Sequence, residues 1–411
     1  MMATRVMGTG LLALLSLAGC HEKTPSEPGE AAASAASAAT SGPAAAVASG
    51  AIKAPASTAP SAPATAAGLQ PGQVGPLPPS DRVFALSLDG QPRDHLLGTD
   101  GDALWAVEPT ARGEGKLLWR VTGPGVVQKV VVGDLGKGRR LFVARGVGRG
   151  FLRAPLVLQS LDPLTGQAEE LWRFAGERAE CAHLSLDDVD GDGETELAFA
   201  YYASKYMVRT RHLDRDGQPL LGPEVRMATS RAYGDLNGDG KLDEAVGRVY
   251  GDAKGDPGDL KVDLGQGPVK VPTEDGVRAV MVAKLAGDAG PTLYFADGWV
   301  ADYGKSAKAQ LKRARWDGKG FAVEPLVRSP SEFTFFHLET AALGDAGTVV
   351  VAQGNKQVSA ILPGPKAPWA LKPLAQLEPV LNTALGRTGP GAWAVYTPAK
   401  PHTRAVPVTL P

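Results

Sequence analysis

Asp188-Val189-Asp190-Gly191-Asp192-Gly193-Glu194-Thr195-Glu196 runs into the apolar stretch Leu197-Ala198-Phe199-Ala200, and Asp235-Leu236-Asn237-Gly238-Asp239-Gly240-Lys241-Leu242-Asp243 runs into Glu244-Ala245-Val246. The two loops start 47 residues apart, and weaker copies of the same unit lie on either side of them. The apolar residue in second place is Leu97, Leu135, Val189, Leu236, Leu285, Leu343 and Leu385, at spacings of 38, 54, 47, 49, 58 and 42 residues that average 48. A period of that size is what four-stranded propeller blades show.

Further out, the chain from Asp81 onward consists of short apolar runs such as Val130–Val132, Leu141–Ala144, Leu197–Tyr202 and Thr348–Ala352, broken by Gly and Asp. These are strand lengths without a sustained helical period. Turns of a second kind, Leu88-Asp89-Gly90-Gln91-Pro92, Leu213-Asp214-Arg215-Asp216-Gly217-Gln218-Pro219 and Trp316-Asp317-Gly318-Lys319-Gly320, fall between the units and read as hairpins. Each repeat thus supplies about four strands. The fold expected is all-β, a seven-bladed β-propeller of four-stranded antiparallel blades, whose closure protects the sheet edges. A solenoid of stacked hairpins is the structural alternative.

The two opening loops carry chemistry. Asp188, Asp190, Asp192 and Glu196 fall at loop positions one, three, five and nine with Gly193 at six; Asp235, Asn237, Asp239, Asp243 and Gly240 occupy the same places. Oxygen ligands on alternate residues of a tight loop suit Ca²⁺, a hard cation that takes about six to eight oxygens, better than Mg²⁺, which keeps its waters. The backbone carbonyls of Glu194 and Lys241, at position seven, add a fifth ligand to each set. Without a cation each loop repels itself. Ordinary solvated hairpin turns are the competing reading, and the shared register of the two loops argues against it.

Asp-x-Asp-x-Asp-Gly-x-x-Asp/Glu followed by an apolar strand, as in Asp188–Ala200 and Asp235–Val246, resembles the FG-GAP or VCBS repeat family, which includes the integrin α-subunit propeller. The resemblance spans most of residues 81–411, but only two copies keep the acidic residues. It implies a propeller with structural Ca²⁺ and no particular partner.

At the other end of the chain, Arg5, an uncharged stretch from Val6 to Ala18, and Leu17-Ala18-Gly19-Cys20 form a secretory signal over residues 1–19. The apolar run is shorter than the roughly 20 residues a spanning helix needs. Leu-Ala-Gly-Cys resembles the lipobox of bacterial lipoproteins, which implies acylation of Cys20 and a membrane-anchored protein. The following residue, His21 rather than Asp, implies the outer membrane. Residues 20–80 are rich in Ala, Pro, Ser, Gly and Thr and read as a disordered tether. Its r.m.s. reach is roughly 40–45 Å for about 60 residues of coil. Only Cys181 remains as a second cysteine, and it reads as a small buried hydrophobe.

With 43 basic and 44 acidic residues and no long block of either sign, a nucleic-acid partner is disfavoured. The six histidines show no metal-ligand spacing, Gly304-Lys305-Ser306 lacks the strand-to-helix setting of a phosphate loop, and Gly-x-Ser-x-Gly is absent. Asp252, Asp256, Asp259 and Asp263 read as a solvated connection between blades, with a further cation site as the alternative. No catalytic residues are assigned. The expected function is a calcium-binding envelope lipoprotein that binds or scaffolds another envelope protein or a polysaccharide. The rivals are a polysaccharide lyase or hydrolase, since the repeat family also occurs in such enzymes, and an outer-membrane assembly lipoprotein. The barrel-assembly propeller lipoprotein resembled in that last reading lacks acidic loops of this type.

Overall fold

Twenty-eight strands in seven sheets make up the described structure. The computed structural model describes residues 69–410 apart from 111–112, 149–153, 177–178, 191, 205–206, 215–218, 227, 253–256, 299–308, 330–334, 336, 343–347, 355–356, 364–367 and 377–381. The expected signal sequence, Cys20, most of the expected tether, Asp256, Gly304-Lys305-Ser306 and Leu343-Gly344-Asp345 therefore lie outside the described residues. Ala64–Pro411 is one unit.

Blade 1 contains β2 (Arg82–Leu86), β3 (His95–Asp100), β4 (Ala103–Pro109) and β5 (Glu114–Thr122), with β1 (Val74–Pro76) added outside β5. Blade 2 is β6 (Val126–Asp134), β7 (Arg139–Gly146), β8 (Leu156–Leu161) and β9 (Ala168–Phe174). Blade 3 is β10 (Cys181–Asp187), β11 (Glu196–Tyr202), β12 (Met207–Leu213) and β13 (Pro219–Arg226). Blade 4 is β14 (Ala228–Gly234), β15 (Asp243–Arg248), β16 (Leu260–Asp263) and β17 (Pro268–Val271). Blade 5 is β18 (Val277–Ala283), β19 (Thr292–Asp297), β20 (Gln310–Trp316) and β21 (Phe321–Arg328). Blade 6 is β22 (His337–Ala342), β23 (Thr348–Gln353), β24 (Gln357–Leu362) and β25 (Ala370–Gln376). Blade 7 is β26 (Ala384–Gly389), β27 (Ala392–Thr397) and β28 (Arg404–Val408).

Apart from the added β1, every sheet is an antiparallel meander, and the first strands abut around the ring: β2 meets β6, β6 meets β10, β10 meets β14, β14 meets β18, β18 meets β22, and β26 meets β2. This is the seven-bladed β-propeller expected from the repeat. Second strands are sandwiched between neighbouring blades, so β11 and β19 are buried at every position and read as continuous apolar runs. An outer strand such as β16 alternates buried and exposed residues.

The core is divided among the seams. One apolar cluster fills each junction: Leu97, Leu104 and Trp119 meet Val127 and Leu141 between blades 1 and 2, and Leu77, Leu96 and Trp105 meet Ala394 and Tyr396 between blades 1 and 7. Glycines near the ends of first strands allow the next blade to approach. A Cβ on Gly133 would run into Leu186 of blade 3, one on Gly234 into Val282 of blade 5, and one on Gly386 into Ala85 of blade 1.

Among the described residues closure uses no exchanged strand. The Asp94 N–H donates to the Arg387 carbonyl (2.8 Å), the Arg387 N–H to Asp94 Oδ2 (2.7 Å), and the Val83 N–H to Asn382 Oδ1 (2.7 Å). Ser80 Oγ and Thr403 Oγ1 lie 2.7 Å apart, and both residues are buried.

Several expectations need correction. The folded part starts ahead of residue 81: β1 pairs with β5, Leu77 is fully buried, and the Gly72 N–H donates to the Leu117 carbonyl at 2.7 Å. Proline and glycine make this stretch look like tether. The strand count holds in five blades, while blade 1 has five strands and blade 7 three among the described residues. The repeat register holds from Leu135 to Leu285 but slips at both ends. Leu97 lies within β3 and Leu385 within β26. In blade 1 the turn between first and second strands is the Leu88-Asp89-Gly90 segment, with Leu88 buried 47 residues before Leu135. Gly98 looks like a turn residue but sits mid-strand, where the Trp105 ring covers it and leaves no room for a side chain. The segment carrying Asp252 and Asp259 joins β15 to β16 inside blade 4 rather than joining two blades.

The seams make one consequence measurable. Gly234→Val puts branched carbons against the stiff Val282 side chain, and overpacking of this kind costs about 1–3 kcal/mol. A lowered urea midpoint for Ala64–Pro411 is expected; an unchanged midpoint would mean that blades 4 and 5 do not meet at that point.

Candidate metal centre

The first acidic loop connects β10 to β11 and the second connects β14 to β15, so both lie at the same kind of turn in adjacent blades. The carboxylates of Asp188, Asp190, Asp192 and Glu196 each place an oxygen within 4.8 Å of the others, an arrangement that can hold a metal ion. Asp190 and Asp192 are exposed, whereas Glu196, the first residue of β11, is only 3% exposed.

Backbone donors hold the side chains in place. Gly193 N–H donates to Asp188 Oδ2 (3.0 Å), Asp192 N–H to Asp190 Oδ1 (3.2 Å), Glu194 N–H to Asp192 Oδ1 (2.7 Å) and Val189 N–H to Glu196 Oε2 (2.7 Å). Gly193 has φ +89°, a conformation that favours glycine and that turns the chain back on itself here.

The second loop repeats this scaffold bond for bond. Gly240 N–H donates to Asp235 Oδ2 (3.0 Å), Asp239 N–H to Asn237 Oδ1 (2.9 Å), Lys241 N–H to Asp239 Oδ1 (2.9 Å) and Leu236 N–H to Asp243 Oδ2 (2.7 Å). Gly240 has φ +83°, and Asp243 is 2% exposed. The loops differ in how the acids converge. Among the described residues the first quartet is the one group of His, Cys, Asp or Glu side chains drawn together in this way. In the second loop Asn237 replaces a carboxylate, its Nδ2 donates to Asp239 Oδ2 (3.1 Å), and Asp235 Oδ1 accepts from both Gly238 (2.6 Å) and Asp239 (3.1 Å). Glu194 and Lys241, expected to lend carbonyls, follow the two glycines at the bend.

Charge crowding is visible in both ninth-position acids. Burial pushes the Glu196 carboxyl above its ordinary value, and the neighbouring Asp190, Asp192 and Asp188 add to the rise against the Val189 N–H. Burial likewise raises Asp243, with Asp239 and Asp235 contributing. A cation among these oxygens would reverse the balance.

Below the loops, the junction of blades 3 and 4 is the seam with the least apolar packing among the described residues: Ala200, Tyr202, Val208 and Val246, with Ala182 beside them. Polar groups accompany them. Arg231, whose side chain is 1% exposed, pairs with Glu244, and Tyr233 Oη donates to the same carboxylate at 2.9 Å. His183 lies 2.9 Å from Ser185 Oγ, its ring 6.0 Å from that of Tyr233, and burial with Arg231 nearby pushes its pKa down to about 3. Asp187 Oδ2, His212 Nε2, and Nε and Nη2 of Arg231 are buried without a hydrogen-bond partner among the described residues. Sequence reading missed this group because its members come from β10, β12, β14 and β15 and converge only across the seam.

The other acids considered have partners of their own. Arg248 donates from Nε and Nη2 to the two oxygens of Asp259 (2.5 and 2.8 Å) and from Nη1 to Asp252 (2.9 Å). Asp263 Oδ1 accepts from the Gly265 N–H (3.0 Å). Cys181 is buried as expected, and its burial pushes the thiol up to about 12.

A carboxyl raised in the folded state contributes stability below its ordinary value, and that contribution disappears as the pH climbs through the raised one. The ordinary values here are 4.5 for Glu196 and 3.8 for Asp243. Without divalent cations, Glu196→Gln is therefore expected to flatten the fall in melting temperature as the pH rises above 4.5. The same variant is expected to weaken stabilisation by added cation. A parallel pH profile would remove the charge-crowding account. Compared with known proteins, the chain matches no family model and no curated protein.

Proposed function

We propose that this chain is a calcium-binding propeller of the FG-GAP or VCBS type, anchored through acylated Cys20 in a bacterial cell envelope, most simply the outer membrane. Its role is non-enzymatic: a binding or scaffolding platform for another envelope protein or a polysaccharide. The observation that carries the reading is the pair of acidic loops, which share loop positions, backbone bonds and strand context in adjacent blades.

Calcium fits these loops because the ligands are all oxygens on a flexible turn, with carboxylates already held by backbone donors and charge left over for a divalent ion. In this reading the ions serve structure. The two loops flank the seam between blades 3 and 4, where apolar packing is thinnest among the described residues, and an ion in each would stiffen the turns on both sides. A propeller that displays loops on one end of its ring is a common way to present a binding surface.

Thermal unfolding of Ala64–Pro411 in Ca²⁺ and in chelator tests the metal assignment. An ion that binds only the folded state at about 100 times its Kd adds roughly 2.7 kcal/mol per site. The melting temperature is expected to rise by several degrees in Ca²⁺, Asp190→Ala and Asp239→Ala each to remove part of the rise, and the double variant all of it. No rise in the unsubstituted chain would leave the loops as hairpin turns. The anchor is tested separately: Cys20→Ser is expected to move the full-length protein from the membrane fraction to the soluble envelope fraction, and an unchanged distribution would sink the lipoprotein reading.

A further inference from the structure

We propose that the seam between blades 3 and 4 binds one small planar oxyanion, of the formate or bicarbonate kind, on the Nε–Nη2 edge of Arg231. The site is distinct from both acidic loops, and the proposal goes beyond the binding-platform reading without resting on it. Nine buried side-chain nitrogen and oxygen atoms have no hydrogen-bond partner among the described residues, and five of them belong to this seam: Asp187 Oδ2, Thr210 Oγ1, His212 Nε2, and Nε and Nη2 of Arg231. Leaving buried donors and acceptors unpaired is costly, so their concentration in one place calls for a ligand that pairs them.

Strand alternation builds the wall that the ligand rests on. On β10, Leu184 and Leu186 pack toward blade 2, so His183 and Ser185 face blade 4. On β12, Val208 belongs to the seam cluster, and Thr210 and His212 share its face. Between these strands β11 turns Phe199 toward blade 2 and sets Ala198 and Ala200 on the seam side. The register lines up His183, Ala200 and Thr210 in one cross-strand row and Ser185, Ala198 and His212 in the next. Two fully buried alanines thus form a floor flanked by four polar side chains, on outer strands about 10 Å apart. Arg231 faces this wall from β14, since its neighbour Ala232 packs toward blade 5.

The guanidinium selects the ligand. Its Nε–H and one Nη2–H point in parallel and match the two oxygens of a carboxylate. Arg173 uses that edge on both oxygens of Glu170 (2.8 and 2.5 Å), and Arg248 does the same with Asp259. Arg231, whose side chain is 1% exposed, uses only Nη1, on Glu244, and Tyr233 Oη donates to the same acid. Among the described residues no side-chain carboxylate reaches its other edge. His212 lies near enough to feel the Arg231 charge, so its Nε2, carrying the ring proton, and the Thr210 hydroxyl on the same face extend the set of donors. A halide offers a single centre to two parallel donors, and a cation meets the guanidinium. A planar oxyanion pairs both N–H groups at once. Because the fork is buried, the ion is taken up as the two blades dock and exchanges only when the seam opens.

The test refolds the full-length protein from urea in chelator with sodium formate, sodium bicarbonate or sodium chloride at equal ionic strength, and with formate again in Ca²⁺, and compares melting temperatures. Formate or bicarbonate is expected to raise the melting temperature with the logarithm of its concentration, and chloride is not. Whichever oxyanion acts at the lower concentration identifies the better fit. Arg231→Met combined with Glu244→Gln removes the fork without leaving a buried charge unpaired and keeps an oxygen for Tyr233 Oη, so this variant is expected to fold and to lose the response. Thr210→Val keeps the shape of the side chain and should weaken the apparent affinity about tenfold, the equivalent of one hydrogen bond, which guards against a folding defect in the double variant. A crystal structure of the formate-refolded protein should show the ion on the Nε–Nη2 edge. No rise with either oxyanion, an equal rise with chloride, a response kept by the double variant, or a single water on that edge would overturn the proposal.

Discussion

The rest of the structure depends on apolar contact between neighbouring blades around a ring. Among the described residues no blade has a core of its own: each apolar cluster is shared between two neighbouring sheets. Burial of apolar area is the dominant favourable contribution to folding, and here it is divided into seams that must all form together. The glycines near the ends of β6, β14 and β26 belong to this arrangement, because they set how closely first strands can approach. Closure between blades 7 and 1 follows the same rule, with Asp94, Arg387, Ser80 and Thr403 adding polar contacts to an apolar junction that holds Trp105 and Tyr396. Among the described residues the seam between blades 3 and 4 departs from that rule, since Arg231, Glu244, Tyr233 and His183 take space that apolar side chains fill elsewhere.

The acidic loops sit above this exception. Their side chains are restrained by backbone N–H groups, which costs little when the loop is empty because each carboxylate keeps at least one donor. What the donors leave uncompensated is charge, most of all at Glu196 and Asp243, where the second strand of each blade begins and water is largely excluded. The two loops share one scaffold but not one charge. Asn237 and the doubly engaged Asp235 make the second loop the less demanding of the pair.

Much of this was legible in the sequence because a propeller repeats one solution. Strand-length apolar runs, Gly and Asp at the turns, and a spacing near 48 residues specify blades before any contact is known. The acidic loops were legible for a simpler reason: a turn carries its ligands within nine residues. The ends of the ring were harder to read. Leu97 and Leu385 carry the local signature, yet they fall within strands, since Leu-Gly can mark a tight turn or a close approach beneath an aromatic ring, as at Gly98 under Trp105. Residues 69–80 are spelled in the alphabet of a tether, and the pairing of Val74–Pro76 with Glu114–Lys116 and the burial of Leu77 make them part of blade 1. The wall that Arg231 faces is built by three strands of the neighbouring blade, so no local pattern announces it.

The placement of β1 has a mechanical side. Residues 1–68 join the propeller at Leu69, just before a strand that pairs with β5 through Val74, Gly75 and Pro76 on the outer edge of blade 1. Leu69 itself packs against the apolar cluster between blades 1 and 7, so the described chain enters at an inter-blade seam and then runs on into this short pairing. Three residue pairs make up this pairing, and Leu77, fully buried just after them, holds the next step of the chain. The segment thus ties the outer edge of blade 1 to the closure between blades 7 and 1, so its loss would be felt at both.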